Sequence, residues 1–139
     1  MAISTAPSFA VAPRSVDTGT FSTANTNRDG TGTIATMCAG ATAGTKVNSV
    51  TITATATTTA GMIRVYVSTD TGTTWRLIKE VPVSANTPSA TVQAWTSGIL
   101  PADDRTLPSI VLTGSSDLLG VSTHNAEAFA YYVSAADFT

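Results

Sequence analysis

Val50-Thr51-Ile52-Thr53-Ala54-Thr55-Ala56-Thr57 alternates for eight residues without a break. One set of positions reads Val, Ile, Ala, Ala, and the other is Thr throughout. A period of two places these sets on opposite faces of a strand, whereas a helix would scatter the apolar set around its axis. Threonine is β-branched and suits a half-exposed strand surface. The stretch therefore reads as a strand with one face on a core and the other toward water.

The same grammar extends in both directions. Toward the N-terminus, residues 33–38 form a short turn-bounded strand, and residues 40–46 read as a polar loop. Toward the C-terminus, residues 62–68 and 75–81 form a hairpin around the turn Asp70-Thr71-Gly72. Pro82 and Pro88 close that block and place Val83 near an edge or bend. Further short strands are expected at 91–95, 109–112 and 117–121, with a loop over 100–105. The last strand, 129–133, sets Phe129, Tyr131 and Val133 on one face. Residues 125–128 have helical propensity and leave room for one turn of helix, although the alternation that follows favours strand. The expected fold is all-β: an antiparallel β-sandwich, jelly roll or small barrel of about eight short strands. No strand–helix alternation points to a parallel α/β sheet.

Residues 1–30 differ from the rest. They carry Pro7 and Pro13, Gly/Asn/Asp clusters and few aliphatics, with Phe9, Val11 and Phe21 widely spaced. They read as an extended N-terminal arm, leaving 31–139 as the β-sandwich domain. Two of the four phenylalanines lie on this segment, which favours a docked arm over a floppy end.

Composition removes several classes. The 139 residues carry a net charge of −2, and charged residues make up only 12%. Seven Lys and Arg against nine Asp and Glu exclude a basic nucleic-acid binder. Mean hydropathy of +0.19 with so little net charge excludes a disordered chain. No apolar run approaches the ~18–20 residues of a membrane-spanning helix. Thr and Ala dominate, with 27 and 21 copies. Leaving Ala aside, only 38 residues are hydrophobic, a thin core that packing against further copies would reinforce. A homo-oligomer is expected. The single cysteine, Cys38, allows no internal disulfide, and the N-terminus has neither the basic start nor the apolar stretch of a secretory signal. Synthesis and folding in a cytoplasm are expected.

The search for chemistry finds no cofactor or catalytic motif. Gly40-Ala41-Thr42-Ala43-Gly44-Thr45-Lys46 has three residues between its glycines and Thr before Lys, so it fails the phosphate-loop spacing. Asn25-Thr26-Asn27-Arg28-Asp29-Gly30 opens like a calcium loop, but Thr36 stands where the closing Glu belongs, and a turn is favoured. His124, the only histidine, has no partner at metal-ligand spacing and reads as structural. Cys38 lies in an apolar strand, so a Cys38–His124 nucleophile pair is disfavoured. Asp103 and Asp104 are adjacent in a loop and tend to point apart, which disfavours glycosidase chemistry. Trp75 and Trp95 could stack on sugars, yet sandwich aromatics more often serve core or interface.

Four blocks carry a family resemblance. They are Gly32-Thr33-Ile34-Ala35, residues 57–67, residues 75–83 with 87–91, and residues 119–129 closing with Ala135-Ala136-Asp137-Phe138. In this order they resemble small tailed-bacteriophage virion proteins over about residues 30–138. The segment before residue 30 is not covered. The resemblance implies a non-enzymatic capsid decoration or cement protein with a β-sandwich or jelly-roll domain, often trimeric. Its implied partner is the major capsid protein, and its place is the outer capsid surface after synthesis in host cytoplasm. It implies no cofactor, and neither nucleic acid nor membrane is an expected partner. On this reading Phe9, Arg14 and Phe21 are the capsid-contact candidates of the arm. The alternative is a tail, baseplate or fibre module that binds host surface glycans through Trp75 or Trp95.

Overall fold

The computed structural model describes residues 9–100 and 109–139. Every regular element among them is a strand: β1 (Ala10–Ala12), β2 (Asp17–Phe21), β3 (Ala35–Ala39), β4 (Thr45–Ala54), β5 (Gly61–Ser68), β6 (Arg76–Val83), β7 (Thr96–Leu100), β8 (Ile110–Leu112), β9 (Leu118–Thr123) and β10 (Phe129–Phe138). They form two antiparallel sheets. The first has the order β1-β10-β4-β7, with β2 also paired to β10 and β8 also paired to β4. β2 lies along the first half of β10 and β1 at its end. β7 and β8 divide the free side of β4 in the same way. Each edge of this sheet is thus two short strands end to end, and the sheet is four positions wide. The second sheet has the order β3-β9-β5-β6. The expected all-β sandwich is what the chain forms. The chain passes from one sheet to the other between β2 and β3, β3 and β4, β4 and β5, β6 and β7, β8 and β9, and β9 and β10.

The alternation that opened the sequence reading sits at the centre of the first sheet. Val50, Ile52 and Ala54 of β4 are buried in the core, and Thr51 and Thr53 face outward. The strand runs further back than expected, through Val47 to Thr45, both fully buried. Val47 and Val50 are three apart, so simple alternation cannot bury both. Asn48 is the extra residue of a β-bulge, since Ser49 pairs with Ser134 and Val47 with Ala135. The bulge shifts the side-chain phase by one and returns Val47 to the core. Read without it, residues 40–46 looked like loop.

The core lies between the sheets. The first contributes Val47, Val50, Ile52, Phe129 and Val133, and the second Ile63, Val65, Leu119 and Val121. The hairpin β5–β6 forms as expected, and β6 is an edge strand with Pro82 on it, where a missing N–H is tolerated. Its turn is fastened by Asp70, whose Oδ1 accepts from the Ser68 hydroxyl (2.8 Å) and the Thr74 N–H (2.8 Å).

One expected strand is corrected, and two further segments take their places. Residues 91–95 form no strand; β7 starts at Thr96, and Trp95 instead packs edge-on against Phe129 with ring centroids 5.8 Å apart. Residues 124–126 form a bend, and 127–128 lead without regular structure into β10. The described part of the expected arm, 9–30, is extended and docks on its own sandwich. β1 and β2 are edge strands of the first sheet, and Phe21 stacks on Phe129 at 5.5 Å. Of the loop expected over 100–105, Leu100 instead ends β7, and residues 101–105 lie outside the described residues.

Candidate functional site

Three features of the molecule are organised enough to weigh as sites. The first is the ion-pair cluster around Arg14, between β1 and β2. Its Nη1 donates to Asp137 Oδ1 (3.1 Å) and Thr45 Oγ1 (3.1 Å), and its Nη2 donates to Asp17 Oδ2 (2.9 Å). The Thr45 hydroxyl donates to Asp137 Oδ1 at 2.6 Å. This hydroxyl, with opposing burial and with Arg14, holds the Asp137 carboxyl below its usual range. Burial pulls the Arg14 guanidinium down, but its hydrogen bond to Asp137 and the neighbouring charges outweigh that, and its pKa is raised. The cluster ties the N-terminal segment to β4 and β10, so Arg14 is engaged within its own chain. Cys38 adjoins it, only 2% exposed, and burial pushes its thiol up to about 12.

The second feature is a strap. Residues 22–34 cross the outer face of the second sheet. The Asn25 N–H donates to the Thr123 carbonyl (2.8 Å), and the Asn25 and Asn27 carbonyls accept from Arg64 Nη1 (3.1 Å) and the Tyr66 hydroxyl (3.0 Å). Arg64 and Tyr66 alternate with the core residues Ile63 and Val65, so they point away from the core, yet both are buried beneath the strap. Arg64 Nε donates to Glu80 Oε1 (2.9 Å), and Arg28 grips both Glu80 oxygens at 3.0 and 2.8 Å. Burial alone pushes Glu80 up, but the hydrogen bonds from Arg64 and Arg28 prevail and hold its carboxyl below the usual range. Gly120 lets Trp75 and Ile34 close over this face, since a Cβ there would lie 2.6 and 2.7 Å from their side chains. The second sheet is thus covered on both faces by its own chain.

The third feature is the outer face of the first sheet, which no described part of the chain covers in the same way. Tyr132 (45% exposed) and Val111 (50% exposed) stand out from it. At one end it dips into a groove of about 540 Å³ lined by Phe9, Val11, Lys46, Val111, Ala136 and Phe138. Phe9 and Val11 are 66% and 65% exposed. Across the strands the outward positions are mainly Thr, Ala and Ser, by the alternation of burial and the pairing register. Among the described residues Lys46 is the only charged side chain on an outward strand position of this face. Burying such a face desolvates few charges, although its Thr and Ser hydroxyls need hydrogen-bond partners on the covering surface.

The described residues singled out from the sequence do not converge on one site, although Arg14 and Cys38 adjoin. Of the contact candidates, Phe9 is open, Arg14 is locked in its cluster and Phe21 is in the core at 8% exposure. Arg14 and Phe21 thus serve the chain's own fold. Trp75 packs on Gly120 and Trp95 on Phe129, and both rings are partly buried. Cys38 pairs with Leu119 on β9, and His124 lies five residues farther along that chain, about 16 Å at strand rise. Segment 25–30 is a turn closed on itself: the Asn25 amide donates to the Thr31 and Thr33 carbonyls, and Asp29 Oδ1 accepts from the Thr31 N–H and hydroxyl. Gly40–Lys46 resolves into a turn, with the Gly44 N–H donating to the Ala41 carbonyl, followed by the start of β4. Asp103 and Asp104 lie outside the described residues. Among the described residues no group of three or more His, Cys, Asp or Glu is placed to hold a metal. A small cavity of about 230 Å³ opens at the seam between Phe21 and Val121, lined otherwise by Thr, Ser and Ala.

The sequence reading missed the open face itself. Its signal was present: if Phe129, Tyr131 and Val133 face inward, Tyr132 must face out beside the Thr positions of β4. Compared with known proteins, the chain matches no family model, no curated protein and no solved structure.

Proposed function

We propose that this chain is a non-enzymatic structural protein of a tailed-bacteriophage head, a decoration protein that seats on the major capsid lattice and stabilises it. One observation carries the reading beyond the sequence resemblance. With each split edge counted as one strand, we read the orders β2-β10-β4-β7 and β3-β9-β5-β6 as supporting a jelly roll, an architecture used by viral capsid domains. A fold hosts many functions. The role therefore leans on this order together with the ordered sequence blocks over residues 30–138. Stabilisation works by multivalency: each copy contacts neighbouring capsomers, so separating them breaks several modest contacts together. Phe9 is the contact candidate left open toward a lattice.

Cryo-EM and quantitative mass spectrometry of particles produced with this protein test the reading. Many copies on the outer head surface are expected, with weaker retention of Phe9→Ala. Particles that lack the chain, or carry a handful of copies at the tail, overturn it.

A further inference from the structure

We propose that the outer face of the first sheet is a self-association surface that meets the same face of a second copy. The inference deepens the reading above, since it assumes a self-associating structural protein. Its basis is a segregation of charge. The second sheet carries Arg64, Glu80, Arg76 and Lys79, and its strap carries Arg28 and Asp29. The outer face of the first sheet presents Lys46 alone on its described strands. A charged partner surface laid on it would lose hydration and find almost nothing to pair with. Among the described strand positions, a second copy of the same face leaves no acid or base stranded apart from Lys46, which sits toward one end beside Val111.

Size points the same way. A face four strands wide, with central strands of ten residues, has a footprint of about 600 Å² from strand spacing and rise. A standard interface takes roughly 800 Å² from each partner. The footprint approaches that value only when most of the face is used, so a charge at its centre, or a second charge beside Lys46 at its end, should interrupt it. A patch that meets itself is isologous and closes at two copies. The order is therefore two, where the family resemblance alone suggests three.

The test is sedimentation of the full chain across a wide micromolar range, with Val111→Lys and Tyr132→Glu as variants. Both positions are half exposed, so the monomer fold should tolerate them. Thermal unfolding of each variant at low concentration checks that it does. Val92→Lys, a similar change in the exposed loop before β7, serves as control. The expected result is a dimer for the parent and the control, and monomers for the two face variants. A monomeric parent chain, an assembly of another order, or a dimer indifferent to both face charges overturns the proposal. So does a control that dissociates along with them. Particle binding is scored separately: a monomer that still decorates heads sinks this proposal and spares the decoration role, whereas a dimer that never binds particles does the reverse.

Discussion

Cys38 shows how much a single side chain depends on its surroundings. In the sequence it is the only thiol of a chain read as folding in a cytoplasm, and its apolar strand argues against reactivity. In the fold it sits on β3 at 2% exposure, and burial drives its pKa to about 12. The thiolate is the reactive form, so Cys38 should be inert. A thiol reagent at pH 8 is expected to leave the native protein unlabelled and to modify one thiol per chain in denaturant. Rapid labelling of the native chain would contradict the burial. Phe21 is a parallel case with the opposite lesson for sequence reading. Its isolation among polar residues suggested a docking arm, but its partner Phe129 lies more than a hundred positions away, and no local pattern reports such a pairing. The clue that was available is Thr18 and Thr20 alternating with Asp17, Gly19 and Phe21. Gly19 has its own reason: a Cβ there would lie 2.5 Å from the Tyr131 hydroxyl.

At the scale of elements, β2 is the consequential case. It pairs with five consecutive residues of β10, 129–133, and delivers Phe21 into the core. Truncating a buried aromatic costs about 3–5 kcal/mol. Phe21→Ala is therefore expected to lower the unfolding free energy by roughly that amount in urea titration, with a cooperative transition retained. A loss below about 0.5 kcal/mol, the range of a surface change, would restore the free-arm reading. The same logic predicts that removing residues 1–24 unfolds or severely weakens the domain, because it takes away two edge strands and the Arg14 cluster together. β4 and the β5–β6 hairpin were legible in advance, since their alternation is local. The backward extension of β4 was not, because the Asn48 bulge shifts the phase on which such reading depends. β7 was misplaced by the same limitation: 91–95 looks like a strand, but which short segment fills an edge is settled by what β4 has left to pair.

For the whole molecule, the carboxylates set the dependence on pH. Asp70, held by the Thr74 N–H and hydroxyl and the Ser68 hydroxyl, has its pKa lowered to about 2, and Glu80 and Asp137 are also lowered. Where the folded pKa lies below the unfolded one, the unfolded state takes up protons first as pH falls. The stabilisation from these groups is thus complete above the ordinary carboxylate range near pH 4 and disappears as pH drops through the folded values. The melting temperature is expected to stay nearly level from pH 7 to about pH 5 and to decline steeply below about pH 4. A decline centred between pH 6 and 7 would mean that another group governs stability. By itself the sequence determined the strand class, the hairpin and the scarcity of charge, because period-two patterning, turn chemistry and composition are local or additive properties. Only the tertiary structure decided that residues 9–21 pair into the sandwich, that Arg64 and Tyr66 are roofed by the strap, and that among the described residues Lys46 alone charges the outward strand positions of one face. Each of those outcomes depends on which distant strands meet, and that is fixed by burial and hydrogen bonding summed over the whole chain rather than by any neighbourhood within it.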